Sequence, residues 1–459
     1  MTKLEQIKKI YFIGIGGIGM SALARYFMFR GARVSGYDRT ETPLTKALVV
    51  EGIPVHYTAD MEALPKDVDV VVYTPAIPAS QEELVYYREH GYEVVKRSDV
   101  LQWITESSFN ICVGGTHGKT TISTMVAHLL RHSEFGCNAF LGGISANYQT
   151  NFWSSEKNTA VIEADEYDRS FLKLVPDIAV ITAMDPDHLD IYGTPEEVEN
   201  AFIQFAGKIK PGGCLISKYG LSRGEELKAP SHITYSFDNN NADVYVTSLR
   251  VEEGAYIYNI KARGWQLENI KLLMGGLHNV ENSIAAITVA KQLGISDDKI
   301  KAAVAAFRGV KRRFEYYLPE MHQTAPVLID DYAHHPEELK ALITGVRSLY
   351  GSQKCTVVFQ PHLFSRTKDL AREFAESLDL ADEVILLPIY PARELPVEGV
   401  TSNLIAGYMQ RADKKLLAKE EMLTYLAEHK PGLVVMAGAG DIDALVLPVK
   451  QVLMQTAVE

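Results

Sequence analysis

Short, almost continuously apolar runs alternate along the chain with longer stretches whose apolar residues recur every three or four positions. The first kind reads as strands buried on both faces, the second as covering helices. Together they predict mostly parallel sheets clad on both sides. A first block opens with a strand over Ile10–Ile15, a helix over Ile18–Phe29 and a strand over Arg33–Tyr37 that ends at Asp38. Val68–Tyr73 and Tyr92–Val95 add strands, with a helix over Gln81–His90 between them, and the pattern breaks near Glu106. A second block starts with a strand over Asn110–Val113, the turn GGTHGKT and a helix through Leu130. Strands follow at Thr159–Ile162 and Ile178–Thr182. Thr194 caps a helix from Pro195, with Glu196 and Glu197 in its first turn and Gly212-Gly213 marking its end. Alternation through Asp243–Met274, with Gly254 in a turn, predicts an antiparallel excursion, then helices over Asn279–Leu293 and Asp298–Phe307. The third block, after Arg313, has strands at Val327–Asp330, Thr356–Phe359, Glu383–Leu387 and Leu433–Ala437. The expected fold is α/β in three domains, residues 1–106, 107–313 and 314–459, the first and last Rossmann-like and the middle one built on a phosphate loop.

Composition narrows the function. With 459 residues, 47% hydrophobic and 23% charged, the chain is an ordinary globular protein of several domains. A net charge of −12 excludes a general nucleic-acid or anionic-membrane binder but leaves room for a small anionic ligand held by local groups. Four cysteines, none in C-x-x-C spacing, suit a reduced compartment and point to the cytoplasm. No run approaches the roughly 18 apolar residues of a membrane span. The N-terminal stretch KIYFIGIGGIGMSALA imitates an export signal, but four glycines within six residues spoil the apolar helix such a signal forms.

Two segments carry phosphate chemistry. In Gly115-Thr-His-Gly-Lys-Thr-Thr121, backbone N–H groups of a glycine turn, aimed by a helix N-terminus, form a nest for phosphate oxygens. Thr116, His117, Gly118 and Thr121 line the turn, Lys119 can reach the β- and γ-phosphates, and the Thr120 hydroxyl can bind magnesium. Val113 stands where the longer form of this loop has glycine, so the grip is centred on Gly115 to Thr120. The next two strands end in acids and an imidazole: EADEYD holds Glu163, Asp165, Glu166 and Asp168, and DPDHLD holds His188 beside Asp187 and Asp190. Ligands gather at the carboxyl ends of parallel strands, which brings these groups to one edge. The second segment is Gly14-x-Gly16-Gly17-Ile18-Gly19, whose spacing lets backbone approach a pyrophosphate.

The motifs GTHGKTT, EADEYD, DPDHLD, GGLHNVENSIAA, DDYAHHPEE, FQPHLFSRT and GAGDI, in this order, resemble the Mur ligase family from about Tyr11 to Ile442. The resemblance implies a UDP-sugar domain, an ATPase domain and a C-terminal domain that brings the amino acid and completes the nucleotide site. It implies that a UDP-N-acetylmuramate carboxylate is phosphorylated by ATP and the acyl phosphate captured by an amine. The GIGGIGM form of the first loop favours L-alanine over a preformed tripeptide. By the same resemblance Lys119 clamps phosphate, and Thr120, Glu163 and His188 hold two magnesium ions. Asn279 and Asn282 face adenine, and Arg313 and Asp331 complete the ATP site. Tyr332 and His334 follow Asp331 across the cleft. His362 and Arg366 bind alanine and stabilise the tetrahedral intermediate, and Gly14, Gly16, Gly17, Ile18, Gly19, Asp38, Thr74 and Ala76 receive the UDP. Nucleic acid and membrane are not expected partners, and oligomeric state is not readable.

Three positions depart from the family pattern. Ala183 replaces a frequent asparagine, Leu363 a frequent arginine, and Ile203 the modified lysine of relatives acting on later peptides, so no carbamylated lysine is expected. The glycine spacing with Asp38 also suits an NAD-dependent oxidoreductase. A dinucleotide needs two mononucleotide halves, however, and here a different phosphate loop interrupts the sheet after residue 106. A phosphate-loop switch without catalysis would leave the HHP, PHLFSR and YPARE segments without a role.

Overall fold

The computed structural model describes residues 3–62, 64–318, 326–351, 353–392, 394–410 and 413–455. Arg393, in the YPARE segment, and the side chain of Asp190 lie outside the described residues. The strands form three sheets. The first, ordered Val55–His56, Arg33–Tyr37, Lys9–Ile13, Val70–Tyr73, Val94–Lys96, is parallel throughout. Its central strand buries Ile10, Tyr11, Phe12 and Ile13 almost completely, as expected for a strand covered on both faces. The second sheet has ten strands. Phe109–Gly114 lies between Ile178–Ile181 and Thr159–Glu163, and both pairs are parallel. The third carries Val327–Asp331, Leu433–Ala437, Cys355–Phe359 and Glu383–Leu386 as parallel neighbours, with a short antiparallel strand, Glu315–Tyr316, at its edge.

The chain packs as two compact units: residues 1–246, 260–266 and 282–304 form one, and 247–259, 267–281 and 305–459 the other. The first sheet and the second sheet's strands from Phe109 to Ser236 therefore share a unit, and the reason is local. The helix Ile18–Phe29 buries Tyr26 edge-on against Phe140 (5.2 Å) and Phe152 (6.2 Å) of the second sheet. On the same helix the Arg25 guanidinium, 8% exposed, donates to both Glu51 oxygens (2.6 and 2.7 Å) and to Asn151 Oδ1 (2.6 Å). A guanidinium this enclosed needs such a set of acceptors.

Two details differ from the sequence pattern. The helix from Pro195 ends at Ala206 with Gly207 as its cap, and Gly212 and Gly213 form the turn into the strand Cys214–Lys218. Gly213 is needed there because a Cβ would lie 2.5 Å from the Asp177 carbonyl oxygen. The antiparallel excursion is three strands, Val244–Glu252, Ala255–Ala262 and Trp265–Leu272, joined by two-residue turns that reverse the chain. Strands at Val55–His56, Asn138–Ser145 and Thr150–Trp153 carry too weak a pattern to stand out in the sequence. Among the described residues no helix is long and apolar enough to cross a membrane.

The helix that follows the phosphate loop, Lys119–His132, is anchored by a buried histidine. His128 Nε2 lies 2.8 Å from the Ala303 carbonyl and Nδ1 lies 2.9 Å from the Tyr148 hydroxyl, so the neutral ring satisfies both neighbours. Burial pulls its pKa down from 6.5 to about 4. Between those values the unfolded chain takes up a proton that the native fold refuses, so this residue's contribution falls as pH drops from about 6.5 to about 4. The loss is on the order of 3 kcal/mol. His128→Gln keeps a donor for Ala303 and an acceptor for Tyr148 and removes the titration. The difference in unfolding free energy between wild type and variant should therefore change across this pH range and be flat above it. Urea melts at a series of pH values measure it; parallel curves would assign the acid sensitivity elsewhere.

Candidate functional site

In the first unit the phosphate loop follows the strand Phe109–Gly114 and opens the helix Lys119–His132. Two glycines shape it. Gly115 has φ +129°, and a Cβ there would lie 2.0 Å from Thr182 Oγ1. Gly118 has φ +81°, with Asn282 Oδ1 2.9 Å from where its Cβ would be. The loop is tied to the neighbouring strand end: Thr116 N–H donates to the Ala183 carbonyl (3.2 Å), Thr182 Oγ1 donates to the His117 carbonyl, and Asp185 N–H donates to Thr116 Oγ1 (3.2 Å). Ala183 thus serves through its backbone, and Thr182 supplies a side-chain bond beside it. His117 is exposed, with Nε2 3.8 Å from Asp185, and Thr121 is buried in the helix behind the loop.

Lys119 Nζ donates to the Gly115 carbonyl (2.8 Å) and to Glu166 Oε1 (2.7 Å). The lysine side chain is 15% exposed and the glutamate 1%, so this is a buried ion pair. Glu166 Oε2 is buried without a hydrogen-bond partner among the described residues. His188, at φ +52°, places Nε2 4.0 Å from Glu166 Oε1 and 3.6 Å from Asp187, its ring edge-on to Tyr167. Glu163 accepts from Thr120 Oγ1 (3.0 Å), Ser123 Oγ (3.3 Å) and the Gly142 amide (3.0 Å). Burial pushes the Glu163 carboxyl up, opposed by Thr120 and Lys119. The spacing leaves no slack: a Cβ on Gly142 would fall 2.3 Å from Glu163. Among the described residues no three His, Cys, Asp or Glu side chains are grouped to hold a metal by themselves. Two hard oxygens, Thr120 Oγ1 and Glu163 Oε1, do face each other, a partial shell of the kind magnesium completes with phosphate oxygens and water.

The N-terminal glycine loop lies in the same unit. Gly14, at φ +82°, and Ile15 both donate to the Tyr37 carbonyl (2.7 and 3.0 Å), Gly16 to Asp38 Oδ2 (2.8 Å) and Gly17 to the Gly14 carbonyl (3.2 Å). These amides hold the turn. The amides of Ile18, Gly19 and Met20, in the first helical turn, have no acceptor within the helix and are the ones available to a phosphate. Gly19 leaves room for Arg97, whose Nη1 would lie 2.9 Å from a Cβ there; Arg97 also sits 3.7 Å from Asp165. Thr74 and Ile77 cover Gly14, and Ala76 beside them is exposed.

The second unit gathers its own polar cluster. Asp331 accepts from the Phe314 and Ala333 amides (2.7 and 2.8 Å), and burial lifts its pKa to about 6 against those two bonds. Arg313 is exposed, while Arg312 beside it, at φ +58°, is folded in: it pairs with buried Asp330 (3.4 Å), lies over the Tyr332 ring (5.0 Å) and donates to the Gly438 carbonyl. His362 stacks on Tyr390 (5.7 Å) and stands 6.2 Å from His334, which is edge-on to Tyr332. Among the described residues His362 Nδ1 and Arg366 Nη1 are buried without partners, and burial and then Arg366 hold the His362 pKa down. Leu363, between them in sequence, has φ +73°, a strained conformation for a bulky residue. Asn279 is buried, its side chain donating to the Gly275 carbonyl (2.7 Å).

Sequence reasoning missed Arg97, the pairing role of Glu166, and Tyr390. The first two have no local signature; Tyr390 was visible only as part of YPARE.

Three family models match the chain in succession: the Mur ligase family catalytic domain over residues 9–108, the Mur ligase middle domain over 113–290, and the Mur ligase glutamate ligase domain over 312–440. The chain is 48% identical to a UDP-N-acetylmuramate–L-alanine ligase of Porphyromonas gingivalis across 97% of its own length and 99% of the relative's. It is 47% identical to the enzyme of that name in Cytophaga hutchinsonii, over 97% of each chain. The crystal structure of a UDP-N-acetylmuramate–alanine ligase from Thermotoga maritima superposes with a TM-score of 0.79 at 27% identity, over 98% of this chain and 99% of that one. A murein peptide ligase from Psychrobacter arcticus, 21% identical over 98% of each chain with a TM-score of 0.63, shares the fold.

The buried pair makes a prediction independent of activity. Lys119→Ala strands a carboxylate that is 1% exposed and should lower stability by about 3 kcal/mol. Adding Glu166→Gln should return most of that loss. Equal denaturation midpoints for wild type and Lys119→Ala would show that the pair contributes nothing.

Proposed function

We propose the activity from a plain premise: the chain belongs to the Mur ligase family. It is an ATP-dependent ligase that joins L-alanine to the carboxylate of UDP-N-acetylmuramate, a step of peptidoglycan precursor synthesis. The observation that carries this reading is full-length identity near one half to ligases of that name, in a chain whose phosphate loop has its lysine and acids in place.

The chemistry explains the parts. A carboxylate does not acylate an amine at neutral pH, so its oxygen first attacks the γ-phosphorus of ATP. A carboxyl O–P bond forms, the bond to the β-phosphate oxygen breaks and ADP leaves. The amine of L-alanine then adds to the acyl-phosphate carbonyl, the ammonium proton is lost, and the tetrahedral intermediate collapses with departure of inorganic phosphate. Pressing two anions together requires cations that dominate the local field. Lys119 supplies one, moving from the Gly115 carbonyl toward the β- and γ-phosphates. Asn282, against Gly118, and Asn279 serve the adenine side, with Arg313 and Asp331 toward the nucleotide. Thr120 and Glu163 fit one magnesium ion, and His188 a second, by the chemistry of their donors; bound there, magnesium neutralises phosphate charge.

The UDP lies along Gly14, Gly16, Gly17, Ile18 and Gly19, with the diphosphate on the free first-turn amides and Arg97, and Asp38, Thr74 and Ala76 nearby. In the second unit Arg366, whose buried Nη1 has no partner among the described residues, takes the alanine carboxylate. The neutral His362 ring can receive the ammonium proton. We assign residues 1–106 to the UDP-sugar, 107–313 to ATP, and 314–459 to the amino acid and nucleotide. The reaction runs in the cytoplasm, where ATP and the UDP-sugar are.

Purified protein with ATP, magnesium and UDP-N-acetylmuramate should release phosphate rapidly with L-alanine, more slowly with L-serine or glycine, and not with a preformed tripeptide. Tripeptide-dependent release exceeding that with alanine would transfer the protein to the peptide-adding branch. When alanine is replaced by hydroxylamine, muramoyl hydroxamate should accumulate.

A further inference from the structure

The last rung of the first sheet at its carboxyl end reads His56, Tyr37, Ile13, Tyr73, by register. His56 and Tyr37 have ring centroids 5.6 Å apart, and the imidazole is 37% exposed. Behind the ring lies Glu83, 0% exposed, on the helix Glu82–Glu89. Glu83 Oε1 is 2.8 Å from His56 Nε2, and Oε2 accepts from the Tyr11 hydroxyl at 2.6 Å. The same hydroxyl oxygen is 3.1 Å from Nε2. Tyr11 has spent its hydrogen on the carboxylate, so both neighbours of Nε2 are acceptors and the ring proton must be on Nε2. In the neutral ring that leaves Nδ1 a bare acceptor, and among the described residues it has no hydrogen-bond partner.

This ring is joined directly to the glycine loop. The His56 carbonyl accepts from Asp38 N–H (3.1 Å), and Asp38 in turn holds the Gly16 amide. In a sheet of order 3-2-1-4 a nucleotide whose phosphates sit on the first strand–helix turn extends its ribose toward the end of the second strand, and its base toward the third. The third strand here ends at His56.

We infer that His56, locked in one tautomer by Glu83 and Tyr11, reads the N3–H of the uracil ring and makes the enzyme selective for uridine nucleotides. This rests on the proposed UDP-sugar substrate and names the residue that recognises its base. Uracil offers a donor at N3, whereas cytosine offers a lone pair there, which meets the Nδ1 lone pair and leaves both acceptors unpaired. Tyr37 flanks the base as an aromatic wall.

The intact protein should bind free UDP more tightly than CDP by about tenfold or more in calorimetry at pH 8, the scale of one matched against one unmatched buried hydrogen bond. His56→Phe should erase the preference while leaving ADP affinity unchanged, which also reports that the fold is intact. Glu83→Gln is the sharper variant. Its carbonyl keeps the Tyr11 hydroxyl, its amide then donates to Nε2, the ring proton moves to Nδ1, and the preference should turn toward CDP. Nitrogen NMR of the His56 ring should show the tautomer change directly. A UDP-to-CDP ratio unchanged in His56→Phe overturns the inference and leaves the ligase reading standing. Wild-type protein that binds ADP but neither pyrimidine nucleotide overturns both.

Discussion

A lysine ammonium largely withdrawn from water has to have an anion against it, and this constraint organises the catalytic edge. Lys119 lies low in its loop, its ammonium donating to the Gly115 carbonyl (2.8 Å). At that depth Glu166 stands 2.7 Å away as its partner. The glutamate is then itself a buried charge that has to be held in place. Tyr192 donates to its backbone carbonyl (2.6 Å), and Arg169 lies over the Tyr192 ring (4.7 Å). The segment after the strand Thr159–Glu163 therefore has a fixed path, and that path also delivers Glu163 to Thr120. An anion entering the loop would have to compete with Glu166 for the same ammonium, so the pair opposes anion binding even as it preserves the loop.

Space is the second constraint, and glycine answers it only where backbone must pass close to something. Gly115 passes Thr182, Gly142 passes Glu163, Gly16 passes Thr45 and Asp38, and Gly19 passes Arg97. Each is a place where a functional group sits against main chain with no room for a methyl. The two phosphate loops use the same device with different outcomes. In the N-terminal loop most amides are consumed in holding the turn, and the amides without an acceptor inside the helix lie one turn along, at Ile18–Met20. In the central loop the lysine and threonine side chains face the acids Glu166 and Glu163.

What was legible in the sequence was whatever is encoded within a few residues. The strand–turn–helix pattern, both glycine loops, Lys119 with Thr120, and the acids ending the strand Thr159–Glu163 all stand in contiguous text, and in the fold they lie at carboxyl ends of parallel strands. What was not legible depends on contacts between distant segments. Glu166 looks like any other acid of EADEYD until Lys119, 47 positions away, is seen against it. Arg97 opens a helix and has no motif, and His56 ends a two-residue strand too short to register in a hydrophobic pattern. The misplaced end of the helix from Pro195 has a different cause. Gly207 and Gly212-Gly213 are both competent stops, and only packing of the following turn chooses between them.

The adjacent arginines at the entrance to the third sheet show how a structure keeps a charge available. Arg312 is used up: Asp330, Asp443 (3.6 Å), the Gly438 carbonyl and the Tyr332 ring surround it. That network fixes the turn by which the chain enters the sheet, since Tyr332 N–H also donates to the Arg312 carbonyl (2.7 Å). With Arg312 at positive φ, the next residue is thrown outward, and Arg313 is exposed. From sequence the two are interchangeable cations in RRFE. In the fold, one lies 3.4 Å from a buried carboxylate whose pKa burial lifts to about 7, and the other is exposed. An exposed charge exists here because a neighbouring charge has already been spent on structure.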